Sequence, residues 1–245
     1  MQRMEAAAAR IEVEVWSDVV CPWCWVGKRR FEAALARFDR RADVRLTWRA
    51  FELDPAAPRS YDGQGTYAER LSRKYRSSVR DAEAMIERMT SVAQAEGLTF
   101  DFDRARPGNT FDAHRLLHAA AASGQQDRLK ERLFRATFTE GEPIGDPETL
   151  VRLGAEVGLD EERARAVVLS DEGATEVRAE EARAHALGIS GVPCFVVDGK
   201  YAVSGAQSPE VILAMLERAS RERPRPALEE VGAEGGAVCD ADGCS

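Results

Sequence analysis

Cys21-Pro22-Trp23-Cys24 sets two thiols two residues apart. The thiolate is the nucleophilic form of cysteine, and this spacing lets a second sulfur swing onto a mixed disulfide formed at the first. If the pair opens a helix, its unfilled N–H groups and macrodipole favour negative charge on the leading sulfur. The Cys21 pKa is then expected to fall from about 8.5 toward ~3.5–7.5. These residues assign Cys21 as nucleophile and Cys24 as resolving thiol. Half a zinc site and a pair of inert packed thiols are the alternatives. Zinc needs a second knuckle, and the chain has no other Cys-x-x-Cys. Trp23 stands where a basic residue would further depress Cys21, which predicts a potential between those of strong oxidants and strong reductants.

The surrounding pattern supplies the required elements. Ile11 to Trp16 alternate apolar and polar residues, as do Val44 to Trp48, and both read as strands. Between them Val26, Arg30, Phe31, Leu35 and Phe38 fall near helical spacing, and Pro22 suits a first helical turn. The pair therefore sits where a strand gives way to a helix, the setting of a thioredoxin-like redox site. Glu12 and Glu14 do not suit a strand buried on both faces, so an exposed early part is expected. From about residue 59 to 187 the signals are helical, with starts at Asn109-Thr110, Asp146-Pro147 and Asp160-Glu161-Glu162 and ends at Gly141, Gly158 and Gly188. Phe195-Val196-Val197, a turn at Asp198-Gly199-Lys200, and Tyr201-Ala202-Val203 form a hairpin, and Ser208-Pro209 opens a last helix.

Pro193 precedes that hairpin, where a thioredoxin-type site carries a cis-proline loop opposite the dithiol. A cis bond there leaves the Val192 backbone free to pair with an extended client strand. The expected organisation is a first core segment at 10–58, a helical insertion at 59–187, a second core segment at 188–223, and a flexible acidic tail at 224–245.

The 245 residues carry 42 acidic and 34 basic side chains, a formal charge of −8, which argues against a nucleic-acid partner. No apolar run approaches the roughly 18 residues of a membrane span. The N-terminal stretch lacks the apolar core of a secretory signal, which places the chain in the cytoplasm. There the five cysteines are expected to cycle rather than staple. Cys194 reads as a small core hydrophobe, with a third redox thiol as the alternative. Cys239 and Cys244 lie within residues 227–245, which hold no basic or aromatic residue, as an accessory redox pair, a dispensable end or a metal-binding tail. About 17 flexible residues span roughly 23 Å, against a radius of gyration near 18 Å, so the tail pair is within reach of the site. His114 and His118 have the spacing of paired ligands but no neighbouring metalloprotease motif; a surface or packed pair is expected, and Asn109 and His114 are candidates to line the cleft.

Three separated segments resemble the FrnE-like branch of the DsbA family: Ser17-Asp18-Val19-Val20-Cys21-Pro22-Trp23-Cys24-Trp25-Val26-Gly27, Asn109 through Leu116, and Gly188 through Pro193 followed by Val203 through Gln207. The resemblance covers about 10–220. It implies an α/β thioredoxin-like fold interrupted by a large α-helical insertion, and thiol–disulfide oxidoreductase or disulfide isomerase activity on protein disulfides. On this reading Cys21, Cys24 and Pro193 are catalytic, Val192, Trp23 and Pro22 touch substrate, and no cofactor or metal is required. The partners are protein thiol or disulfide clients and a thioredoxin- or glutathione-type redox system. Related kappa-class glutathione transferases and 2-hydroxychromene-2-carboxylate isomerases typically carry serine at the nucleophile, so the intact pair points away from them. A thiol-based metal-binding protein is the other alternative.

Overall fold

The structure is a computed structural model that describes residues 10–61 and 63–222, and the backbone of two short strands, Cys239–Asp240 and Gly243–Cys244. Four strands form the central sheet: β1 (Ile11–Ser17), β2 (Val44–Ala50), β3 (Cys194–Val197) and β4 (Tyr201–Ser204). Their order is β2-β1-β3-β4, with β1 parallel to β2 and antiparallel to β3. Register pairs Val15 with Trp48 on one side and with Phe195 on the other.

Alternation along the strands produces two unlike faces. Ile11, Val13, Val15, Trp48, Phe195 and Val197 point to one face, where they pack on Phe31 and Ala34 of α1 (Pro22–Ala36) and on Ile212 and Leu216 of α9 (Pro209–Arg221). Trp16, Cys194 and Val196 point to the other, against Phe51, Ile189 and Ala184 of α8 (Ala174–Ala186). Glu12 and Glu14 fall on this second face. Glu14 is met by Arg49 at 2.7 Å and by Arg183 of α8, and its carboxyl is held below the usual range by those two guanidiniums, against the opposing effect of burial. The start of β1 is therefore exposed on one face only, because Ile11 and Val13 are fully buried on the other.

Helices α2 (Tyr67–Tyr75), α3 (Val79–Ala95), α4 (Phe111–Ala122), α5 (Gln126–Arg135), α6 (Pro147–Glu156), α7 (Glu161–Val168) and α8 all lie between β2 and β3. Their ends follow the sequence signals. Asp146 and Asp160 accept the backbone N–H groups of Thr149 and Arg163, and Gly141, Gly158 and Gly188 take positive φ. Asn109 rather than Thr110 serves α4, accepting the Phe111 amide at 3.0 Å. A separate core of Leu116, Leu129, Leu133, Leu150, Leu153 and Val167 holds α4 to α7 together. Buried Arg115 ties α4 to the end of α7, donating to the carbonyls of Val167, Val168, Ser170 and Glu172. Cys239 and Cys244 face each other in a two-stranded antiparallel pair, β5 (Cys239–Asp240) and β6 (Gly243–Cys244); their thiols lie outside the described residues.

Candidate active site

Cys21 is the N-cap of α1, in extended backbone, and Pro22 fills the first helical position. Asp18 begins the turn that delivers it: its carbonyl accepts the Cys21 amide at 3.2 Å and its carboxylate accepts the Leu53 amide at 2.8 Å. Cys21 retains 4% of its surface and Cys24 none, so of the two residues only the first reaches the surface. Trp23, 36% exposed, stands beside it on the outer side.

The opposite wall is the loop before β3. Its Val192–Pro193 bond is cis, and the Val192 carbonyl accepts from Cys21 Sγ at 3.6 Å. Gly27 lets α1 approach this loop: a Cβ there would lie 2.9 Å from Pro193 Cγ. Beneath the pair, Trp25 stacks among Phe100, Phe134 and Phe138, and Ile86 and Tyr67 from α3 and α2 complete the apolar floor. Burial pushes the Tyr67 phenol up, so it stays protonated.

Electrostatics at the pair differ from the sequence expectation. The Cys21 thiol is pushed well up, first by its hydrogen bond to Cys24 and then by burial. For Cys24 burial is the strongest influence and opposes ionisation. It is outweighed by the bond from Cys21, by Ser17 and by the Lys130 charge, so the inner pKa is lowered. The two thiols titrate together rather than independently. Cys21 holds its proton the more tightly, consistent with its donating to Val192. The helix terminus alone would favour charge on Cys21, but its hydrogen bond to Cys24 and its burial outweigh that effect.

Residues far apart in sequence supply that deeper layer. Asp18 is fully buried and its Oδ1 lies 3.5 Å from Nε2 of buried His114 on α4. Burial raises the Asp18 carboxyl, but the facing His114 and the hydrogen bond from the Leu53 amide outweigh it and hold the pKa below the usual range. Lys130 of α5 is also fully buried and donates to the Ser17 carbonyl at 3.3 Å. His118 points elsewhere, 3.8 Å from Glu180, so the two histidines share no ligand position. Asn109 donates toward the Ala57 carbonyl at 3.3 Å and braces the loop rather than facing the pair. Cys194 is buried on the far face of the sheet from Cys21, its Sγ 3.8 Å from Ser204 Oγ, and burial raises its pKa. That placement makes it a packing thiol.

Lys130 escaped the sequence reading. The available signal was its place at 126–130–134 spacing with Gln126 and Phe134 on the inward side of α5. Asp18 and His114 lie within recognised motifs, but nothing in the sequence pairs them.

A sheet of this order, with a dithiol at the start of its first helix and a cis-proline loop across from it, defines the thioredoxin-like oxidoreductases. The chain belongs to the DSBA-like thioredoxin domain family, whose model matches residues 12–217. It is similar to a probable DsbA oxidoreductase from Streptomyces coelicolor, with 40% identity and a TM-score of 0.82, covering 96% of this chain and 99% of that one. An uncharacterized Bacillus subtilis protein, YwbO, is 31% identical over 154 residues, 61% of this chain and 68% of that protein. The fold is shared at 21% identity and TM-score 0.56 with the cytosolic disulfide reductase DsbM from Pseudomonas aeruginosa, covering 86% of this chain and 98% of that one. A 2-hydroxychromene-2-carboxylate isomerase has the same fold at 15% identity and TM-score 0.58, over 86% of this chain and 97% of that one. These likenesses are consistent with the FrnE-like branch. Among the described residues no helix is long and apolar enough to cross a membrane.

Proposed function

We propose that the protein exchanges disulfides with protein clients through Cys21 and Cys24. The observation that carries this reading is the placement of Cys21 Sγ, at the rim of α1, 3.6 Å from the Val192 carbonyl, with Cys24 buried directly beneath. A client segment extended along Val192 and Pro193 would hold its sulfur against Cys21, with Trp23 and Pro22 along its side. In the reductive direction Cys21 gives up its proton, and its thiolate attacks the client disulfide. One client sulfur leaves as thiolate and takes up a proton. Cys24 then loses its proton and attacks Cys21 of the mixed disulfide, releasing the second client thiol and closing the Cys21–Cys24 disulfide. Run backward, the disulfide accepts two electrons from client thiols.

The reaction uses no metal or cofactor. Its setting is the cytoplasm, where a thioredoxin- or glutathione-type system would restore the pair. Insulin reduction beside reactivation of scrambled ribonuclease, with Cys21→Ser as control, tests the assignment. Activity in either assay that Cys21→Ser abolishes is expected; a folded wild type silent in both, or an active Cys21→Ser, overturns it. The Cys239/Cys244 pair is assigned as an accessory shuttle. Cys239→Ser/Cys244→Ser should slow turnover of protein disulfides while sparing a small dithiol, and equal rates on both would remove the tail from the mechanism.

A further inference from the structure

Three consecutive cations, Lys28, Arg29 and Arg30, follow the dithiol on α1. Two of them face α5: Lys28 pairs with Asp127 at 3.2 Å, and Arg29 pairs with Glu131. Arg30 turns the other way. Its Nη1 donates to the Ala206 carbonyl at 2.6 Å, and its Nε donates at 2.6 Å to Glu96, the residue that ends α3.

Ala206 lies in the loop between β4 and α9, and that loop is joined to the proline loop. The Gly205 amide donates to the Pro193 carbonyl at 2.8 Å, one step beyond the Cys194–Ser204 pairing of β3 and β4. Val192 and Ala206 both pack against the apolar cluster that holds Cys21, Cys24 and Trp25. Along α1, Gly27 faces the proline ring, and Arg30, three residues on along the same side, reaches the loop bonded behind it. A guanidinium donates from adjacent nitrogens in one rigid plane, so two acceptors on different elements are fixed relative to each other. The side chains of Arg30 and Glu96 are 22% and 23% exposed, and screening at that exposure limits what the ion pair adds to stability. Its contribution is geometrical.

We propose that Arg30 is a positioning residue for client binding: it ties the Val192–Pro193 loop to α1 through Ala206 and Gly205, with Glu96 aiming its guanidinium from the end of α3. The proposal rests on the redox reading of the cleft. Arg30 takes no part in the thiol chemistry. It holds the Val192 backbone where an extended client segment meets both that backbone and Cys21. Without it the client must order the loop on arrival, and that cost comes out of binding, so affinity falls while turnover of the bound client is kept.

Two measurements on the full chain test this. The first compares kcat and KM for insulin reduction in wild type and Arg30→Met. KM is expected to rise about tenfold, the fold-change of one lost charge-assisted hydrogen bond, with kcat kept within about twofold. In a folded variant, an unchanged KM, or a loss carried by kcat alone, overturns the proposal. The second uses no client: amide hydrogen exchange is followed at Gly205, bonded to Pro193, and at Leu150 of α6, bonded to the Asp146 carbonyl. In Arg30→Met the Gly205 amide should exchange about tenfold faster while Leu150 keeps its wild-type rate. Unmoved exchange at Gly205, or an equal gain at Leu150, overturns the proposal. Should Arg30→Met not fold, Glu96→Gln keeps the arginine and removes the charge that aims it. Gly205 exchange and the insulin KM should then both rise by about two- to fivefold, and wild-type values for both overturn the proposal. A wild type silent on every client refutes the redox reading; an active wild type whose Gly205 is unmoved in the variants refutes the role of Arg30 alone.

Discussion

Replacing Gly27 by alanine tests whether the approach of α1 to the proline loop sets the chemistry. The new Cβ would stand 2.9 Å from Pro193 Cγ and 3.4 Å from Phe195 Cζ. Carbon–carbon contacts prefer at least about 3.5 Å, so the ring must retreat by roughly 0.6 Å. A proline ring moves only with its backbone, and that backbone carries the Val192 carbonyl 3.6 Å from Cys21 Sγ. Two effects on stability oppose each other. Alanine gains about 1 kcal/mol of helix propensity, and overpacking costs about 1–3 kcal/mol. The net loss is thus expected to stay below about 2 kcal/mol. Geometry at the reacting sulfur has no such offset. A misplacement of about 1 Å can cost 10²-fold, so a shift near 0.6 Å should lower the rate of insulin reduction about tenfold, ~1.4 kcal/mol of barrier. Initial insulin-reduction rates are compared with the urea midpoint for Gly27→Ala and for Gly191→Ala, a control in the same loop where an added Cβ meets nothing within 4 Å. A Gly27→Ala protein that is folded and turns over at the wild-type rate would refute this coupling of packing to rate.

Asp18→Asn should flatten the acid limb of stability. A carboxyl with a depressed folded pKa stabilises the fold above its unfolded value of about 3.9 and loses that contribution as pH falls toward the folded value. Urea midpoints between pH 5 and 3 should therefore fall less steeply in the variant; parallel slopes would show that Asp18 carries no such linkage. Arg115→Met removes the guanidinium donor to the carbonyls of Val168, Ser170 and Glu172 and should cost roughly 3 kcal/mol or more, read by urea unfolding; a change under about 1 kcal/mol would mean that solvent replaces the guanidinium. Cys194→Ala should leave insulin reduction and the thiolate titration unchanged, since its sulfur lies across the sheet from Cys21. A fall in turnover without a fall in stability would make it a third redox thiol.

The parts of the site written in local sequence were legible from it. Strand alternation, the helix starts at Asp146 and Asp160, and Cys21 at a helix start each depend on neighbours a few residues away. The cis-proline loop was legible through its place before the hairpin. The parts that decide the sulfur electrostatics were not. Lys130 and His114 reach Ser17 and Asp18 only after α5 and α4 dock on the sheet, and no periodicity encodes that docking. The Cys21 expectation went astray for the same reason. A helix terminus is visible in sequence, whereas the burial of the pair that works against it depends on how the later helices and the proline loop close over α1. Glu14 repeats the lesson, because its partner Arg183 belongs to α8.

The two walls of the cleft are 171 residues apart in the chain. At ribosomal speeds of about 5–20 residues per second, roughly ten to thirty seconds separate synthesis of Cys21 from synthesis of Val192. Through that interval β1 lacks its antiparallel neighbour β3, and the two cysteines lack the Val192 carbonyl opposite them. The nascent chain thus carries two thiols without the second wall of their cleft, and that wall comes with the last fifth of the chain.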